Sequence, residues 1–258
     1  MRYLLILLII ASMPAMSQEI DLSAPPRAEL TEGQSYHIEW SAGGVQTINV
    51  IIQGERTALG DKPRGSFAIL VLERVPAVDC ECTFTMPLVD AISFLLRVKG
   101  YDGSGHLVSV GEQEYRFRPA VMANRFEDGI YLDLHLKENQ RLYVQKDKVI
   151  TGAYLSSSSE NYLWMQPGRH PKKPHDHAGV FRVLSKSANH WSSLYEVRML
   201  WSMRYHSGHF IHATNPNLYT LLGQPASHGC NRLTKTDAEA LYEMTPLGTR
   251  VEIIGPEG

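Results

Sequence analysis

Apolar residues in this chain recur at every second position, and that period commits most of it to β-strands. Tyr36, Ile38 and Trp40 alternate with Ser35, His37 and Glu39, and Ile130, Leu132, Leu134 and Leu136 alternate with Tyr131, Asp133, His135 and Lys137. Successive strand side chains point to opposite faces, so such runs bury one face and wet the other. Further strand candidates are Thr47–Ile52, Phe67–Leu72, Thr83–Met86, Ile92–Val98 and Tyr115–Arg118. Turn signals such as Ser41-Ala42-Gly43-Gly44 and Asp102-Gly103-Ser104-Gly105 separate them. Short strands at this spacing predict an antiparallel β-sandwich over 18–118. Residues 119–258 continue as strands, with Leu142–Val144, Val149–Ala153, Gly179–Leu184 and Val251–Ile253 as candidates. Residues 156–178, including the run Ser156–Ser159, read as loop. Helical signals concentrate at one place. Thr234 with Asp237 three residues on forms a capping box, Ala238, Leu241 and Tyr242 share a face, and Pro246 and Gly248 end the helix.

A length of 258 residues admits one or two domains. The net charge of -2 lacks the basic excess of a nucleic-acid binder. The N-terminus reads as a signal peptide over 1–17: Arg2 supplies a positive start, Leu4–Ala11 an apolar run, and Ala15 and Ser17 a small-residue cleavage site. The run is too short to span a bilayer, so no membrane span is expected in the mature chain, which is read as periplasmic or secreted. Three cysteines cannot staple a small domain. Cys80 and Cys82, read on an extended strand, share a face close to the limit of disulfide geometry. A strained bridge and two separate thiols are equally compatible with the sequence.

Chemistry gathers between His209 and Leu233. A lone cysteine is commonly a small buried hydrophobe, but the surroundings of Cys230 favour reactivity. Gly229 permits tight curvature beside the sulfur, Arg232 is a fixed cation that favours thiolate, and His212 and His228 are candidate bases. Trp201, Met203 and Tyr205 alternate nearby, either as core or as a substrate wall.

The segment Ile211-His212-Ala213-Thr214, followed after a short gap by Ser227-His228-Gly229-Cys230-Asn231-Arg232-Leu233, resembles the active-site signature of the YkuD-type L,D-transpeptidases. The resemblance runs from about 128 to 254 and implies a second β-sandwich with one or a few short helices. It implies Cys230 as nucleophile, His212 as base and then acid, and the Ala213 carbonyl as the group that orients His212. Backbone amides around His228, Gly229 and Cys230 would hold the oxyanion. Ser227, His228 and Arg232, together with Trp201, Met203 and Tyr205, would shape the site or touch substrate. The implied partners are peptidoglycan stem peptides and an acceptor amine, which a wall-linked protein can supply; no cofactor is implied. Ala213 replaces the family's usual glycine and Asn231 an aliphatic residue expected at the pocket, and 165–178 departs from the family where a lid would lie. The N-terminal half, with Gly33-x-x-Tyr36-x-Ile38-x-Trp40 and the run Phe94 to Gly105, resembles an immunoglobulin-like or fibronectin-like module.

Other readings stay open at this point. The same fold can hydrolyse the thioester, giving a carboxypeptidase or endopeptidase, or serve as a wall-binding scaffold without catalysis. Eleven histidines also raise metal binding, with His170, His175 and His177 close together and His190, His206 and His209 following, but no H-E-x-x-H acid accompanies them.

Overall fold

The computed structural model describes residues 21–23, 29–41, 43–134, 139–159 and 178–255. The expected signal peptide, Leu136, His170, His175, His177 and all but Ala178 of the expected lid lie outside the described residues.

The first lobe contains β1 (Asp21–Ser23), β2 (Glu29–Thr31), β3 (Ser35–Ser41), β4 (Thr47–Glu55), β5 (Ser66–Pro76), β6 (Glu81–Thr85), β7 (Ser93–Tyr101) and β8 (Leu107–Arg118). They form a three-stranded sheet, β1-β3-β6, and a five-stranded sheet, β2-β8-β7-β4-β5. Alternation on β3 places Tyr36, Ile38 and Trp40 inward, where they meet Ile48, Val50 and Ile52 of β4 and Phe94, Leu96 and Val98 of β7. Both inner faces thus share one apolar core, as period-two patterning requires of a two-layer sandwich.

The second lobe contains β9 (Gly129–Asp133), β10 (Arg141–Lys146), β11 (Val149–Leu155), β12 (Gly179–Arg182), β13 (Ser185–Ser192), β14 (Val197–His206), β15 (His209–Ala213), β16 (Asn231–Leu233), α1 (Lys235–Met244) and β17 (Arg250–Ile254). Sheet β11-β10-β9-β17-β12 packs through Ile130, Leu132, Leu142, Val251 and Ile253 against Met203, Ile211 and Leu233 of sheet β13-β14-β15-β16. The fold is mainly β, and α1 forms where the capping box predicts it. Thr234 Oγ1 accepts from the Asp237 amide at 3.1 Å and donates to Asp237 Oδ2 at 2.7 Å. Ala238 and Leu241 enter the core.

β9 departs from the half-wet strand its alternation predicts, because all five of its residues are buried. Tyr131, on the face expected to be wet, joins Met122, Tyr143, Ile150 and Ile254 in a small third core. Met122 lies just after β8, so the chain leaving the first lobe covers this face.

Several contacts among the described residues fasten the lobes together, Arg116 Nη1 to the Ile150 carbonyl at 3.1 Å among them. Arg118, fully buried, donates Nε to Glu29 at 2.6 Å, Nη1 to the Met122 carbonyl and to Gln145, and Nη2 to the Lys148 carbonyl at 2.7 Å. Asp90 pairs with Arg64 at 2.6 Å and with Arg141 of β10 at 2.7 Å. The Gly60 amide donates to Asp237 Oδ2 at 3.2 Å, bringing a first-lobe turn onto the cap of α1. Gly60 has φ +59°, and a Cβ there would meet Thr234 Oγ1 at 2.9 Å, so this approach requires glycine.

The cysteine pair differs from the extended geometry expected for it. Cys80 ends a 3-10 turn at φ 53° and is exposed, so the shared-face argument fails. Cys82 lies on β6 against the core, and burial pushes its thiol up to about 11. The two are separate free thiols.

Candidate active site

β15 and β16 run parallel, with Ile211, His212 and Ala213 opposite Asn231, Arg232 and Leu233. Cys230 immediately precedes β16. Parallel pairing keeps partnered residues on one face, so His212 and Arg232 share a face, and Ile211 and Asn231 share the other, which is the core. The pairing therefore brings two segments distant in sequence to one edge of the sheet, with the histidine and the cysteine on neighbouring strands.

His212 is buried, and its Nδ1 lies 2.7 Å from the Ala213 carbonyl oxygen. A carbonyl can only accept, so Nδ1 carries the hydrogen and Nε2 keeps its lone pair. Burial pushes the imidazole down to about 4, against the carbonyl contact, and the positive charges of Arg232 and His190 push the same way. His212 is therefore neutral at neutral pH. The candidate base named from the sequence is thus an uncharged proton acceptor.

The loop before Cys230 is held from inside. Gly229 adopts φ 131°, a conformation that favours glycine. Ser227 Oγ accepts from the Gly229 amide at 3.2 Å and donates to the Cys230 carbonyl at 2.5 Å. Ser227 is fully buried, so its expected contact with substrate is corrected to an internal clamp. The same hydrogen bond engages the Gly229 amide, removing it from the expected oxyanion donors.

The run Ser156–Ser159, read from sequence as loop, is buried and paired. Ser157 and Arg232 exchange backbone hydrogen bonds of 3.0 and 2.9 Å, and the Ser158 carbonyl accepts from the amides of Ala226 and Ser227. Small hydroxyl side chains let this segment approach the cysteine loop closely while satisfying buried polar groups. Serine runs also mark loops, so composition alone could not separate the two cases. Arg232 donates Nη1 to the Ala226 carbonyl at 2.7 Å and braces the same loop.

Cys230 is partly exposed, with Sγ 3.9 Å from the Gly208 carbonyl oxygen. Tyr195, in the turn between β13 and β14, was not singled out from sequence. Its ring lies 5.3 Å from that of His228, and its hydroxyl donates to the His228 carbonyl at 3.4 Å. Burial raises the Tyr195 hydroxyl, a nearby Cys230 charge raises it further, and Arg232 lowers it. A hairpin turn thus reaches across to the cysteine loop, a contact no local pattern reveals.

The expected substrate wall is core instead. Met203 and Tyr205 are buried in the second-lobe core, and Trp201 packs on it with its ring 5.3 Å from that of Tyr242 on α1. Asn231, expected at the pocket, is buried and donates Nδ2 to the Tyr205 hydroxyl at 2.8 Å. It faces the core because it pairs with Ile211, and its buried amide nitrogen is satisfied there by the tyrosine hydroxyl. A cavity of about 310 Å³ lies on β13, β14 and β15, lined by Ser185, Lys186, Ser187, His190, Ser202, Arg204 and Phe210, among others.

Among the described residues, the His/Cys/Asp/Glu set close enough to share an ion is His37, Glu39 and Glu81, exposed in the first lobe and far from Cys230 in sequence. His206 and His209 instead form an aromatic cluster, with His206 4.7 Å from Phe181 and 5.7 Å from His209.

Residues 129–253 match the family model of the YkuD L,D-transpeptidase catalytic domain. The likeness to the YkuD family is confined to this part of the chain, a little under half of its length. No curated protein matches the chain. Among solved structures, the chain is similar to an L,D-transpeptidase from Mycobacterium tuberculosis H37Rv, at 16% identity and TM-score 0.39, covering 93% of this chain and 100% of that one. It is also similar to the YkuD-type L,D-transpeptidase of Stackebrandtia nassauensis (22% identity, TM-score 0.40, 52% of this chain and 61% of that one). A third is the L,D-transpeptidase of Xylanimonas cellulosilytica DSM 15894 (23% identity, TM-score 0.42, 50% and 62%). The match spans about three fifths of the length of the latter two chains.

Proposed function

We propose that the protein is a cysteine transpeptidase of the cell wall, acting on peptidoglycan stem peptides through a thioester on Cys230. The observation that carries the reading is His212: buried, uncharged, and locked by Ala213 with Nε2 left as acceptor, on the strand beside the one Cys230 leads into. A neutral imidazole so oriented takes a thiol proton, and the resulting thiolate attacks a carbonyl.

In this mechanism Cys230 Sγ bonds to the carbonyl carbon between the third and fourth stem residues. The amide C–N bond breaks, and His212 returns the proton to the departing amine of D-alanine. An acceptor amine then attacks the thioester, gives a proton through His212, and restores the thiol. Amides of the 228–230 loop stabilise the oxyanion, with Gly229 already committed to Ser227. An amine from another stem gives a cross-link, and an amine on a wall-linked protein gives attachment. The same proposal divides the chain at residue 119, where the apolar clusters on either side of Arg118 are separate. It also places the protein outside the cytoplasm, where its substrate is; no helix among the described residues is long and apolar enough to cross a membrane.

The test is mass spectrometry of full-length protein incubated with purified tetrapeptide muropeptides. A thioester adduct on Cys230 with cross-linked dimers is the expected result. Tripeptide without dimers assigns hydrolysis, and absence of any adduct on folded protein overturns the reading.

A further inference from the structure

A cavity on β13, β14 and β15 is lined by two cations: Lys186, whose Nζ donates to the Tyr242 and Thr245 carbonyls, and Arg204. Arg204 stands opposite Ser185 on β13 and Phe210 on β15, and Phe210 precedes His212 by two positions on the same face. Arg204 lines the 310 Å³ cavity and donates Nε to Ser185 Oγ at 3.2 Å. No acidic residue lines that cavity. Other arginines of the second lobe are committed elsewhere: Arg141 to Asp90, Arg250 to Glu252 and Glu127, Arg232 to the Ala226 carbonyl. Arg204 forms no ion pair with a described residue, so among these residues its positive charge is uncompensated. A guanidinium carries five N–H donors in a fork that matches a carboxylate.

We propose that Arg204 binds the free C-terminal carboxylate of the amino acid that leaves when Cys230 is acylated, so that the site selects stem peptides ending one residue beyond the scissile carbonyl. This rests on the transpeptidase reading above. The geometry suits the task. Arg204 sits one strand across, about 4.8 Å, and two residues along, about 6.8 Å, from His212. The carboxylate of a leaving amino acid lies within about one residue length, ~3.8 Å, of the bond that breaks. A long side chain on β14 can meet it there while Ser185 holds the opposite edge of the guanidinium. Arg232, the cation nearest Cys230 in sequence, donates Nη1 to the Ala226 carbonyl of its own loop.

The experiment compares two synthetic donors on the full-length protein: a stem tetrapeptide with a free terminal carboxylate, and the same peptide as its C-terminal amide. Acylation is followed by intact mass, and iodoacetamide labelling of Cys230 reports thiol reactivity independently. Wild type is expected to acylate from the carboxylate donor roughly 10²-fold faster than from the amide, as a site built for a charged partner rejects the analogue that lacks it. Arg204→Gln should lower the carboxylate rate to that of the amide and leave the amide rate and iodoacetamide labelling unchanged. Arg204→Lys should keep part of the preference. Equal use of both donors by wild type, or a preference that survives Arg204→Gln, overturns the proposal. If Arg204→Gln fails to fold, the wild-type comparison decides alone. If neither donor acylates a Cys230 that iodoacetamide labels, the transpeptidase reading itself falls.

Discussion

The two lobes are both built from two packed sheets, yet they bury different things. The first-lobe core is a continuous apolar set from Leu30 to Phe117. The second lobe adds Ser156–Ser159, His212, Ser227, Asn231, Thr234 and Asp237 to its interior, with hydrogen bonds fixing most of them. Burying polar groups costs free energy unless partners are supplied, so a fold that does so repeatedly in one place is constraining geometry there. In this molecule the constrained place is the loop and strand pair around Cys230.

The sharpest way to break this contrast is at Cys230. Cys230→Ala should abolish acylation, and Cys230→Ser should too, because a hydroxyl is far less acidic than a thiol. Intact-mass measurement on variants whose fold is confirmed by circular dichroism checks both.

His212→Ala is next, with a loss of about 10²- to 10⁴-fold in acylation rate, the range for a positioned acid–base group. His228→Ala should cost less, and the reverse order would move the base to His228. The proton state of His212 gives a second readout. Its folded value of about 4 lies below the unfolded 6.5, so the unfolded chain binds the extra proton between these limits. The stability contribution of the neutral ring is fully present above pH 6.5 and is lost as pH falls toward 4, by about 3 kcal/mol. Acylation should fall over the lower part of the same window. Denaturant melts across pH should show this slope in wild type and a weaker one in His212→Gln.

Arg118 tests whether the lobes depend on one another. Arg118→Met leaves Glu29, Gln145 and three carbonyls without their shared donor, and should destabilise by about 3 kcal/mol. A single thermal transition moving as one would tie the lobes together, whereas separate transitions would show independent folding.

The smallest effect is expected in the first lobe. Replacing Cys80 and Cys82 together with serine should leave acylation by a tetrapeptide donor at the wild-type rate, since neither takes part in the clamp around Cys230. A loss of acylation in the folded double variant would break the contrast between the lobes.

Local sequence was enough for the strand-rich class, for the sandwich strands with clean alternation such as β3, and for α1, because period-two patterning and a capping box act between near neighbours. It was enough as well for the chemical types at His212, Ala213 and Cys230, which lie in two short segments. Tertiary structure alone decided that Trp201, Met203 and Tyr205 pack inward, that Asn231 meets Tyr205, and that Ser156–Ser159 braces the cysteine loop. It also set the proton on His212 and left Arg204 without an ion pair among the described residues. The reason is that a strand's alternation says which residues share a face but not which face is covered. Pairing of β15 with β16, and packing of one sheet on the other, fix that choice through contacts between residues far apart in the chain, and burial and charge follow from it.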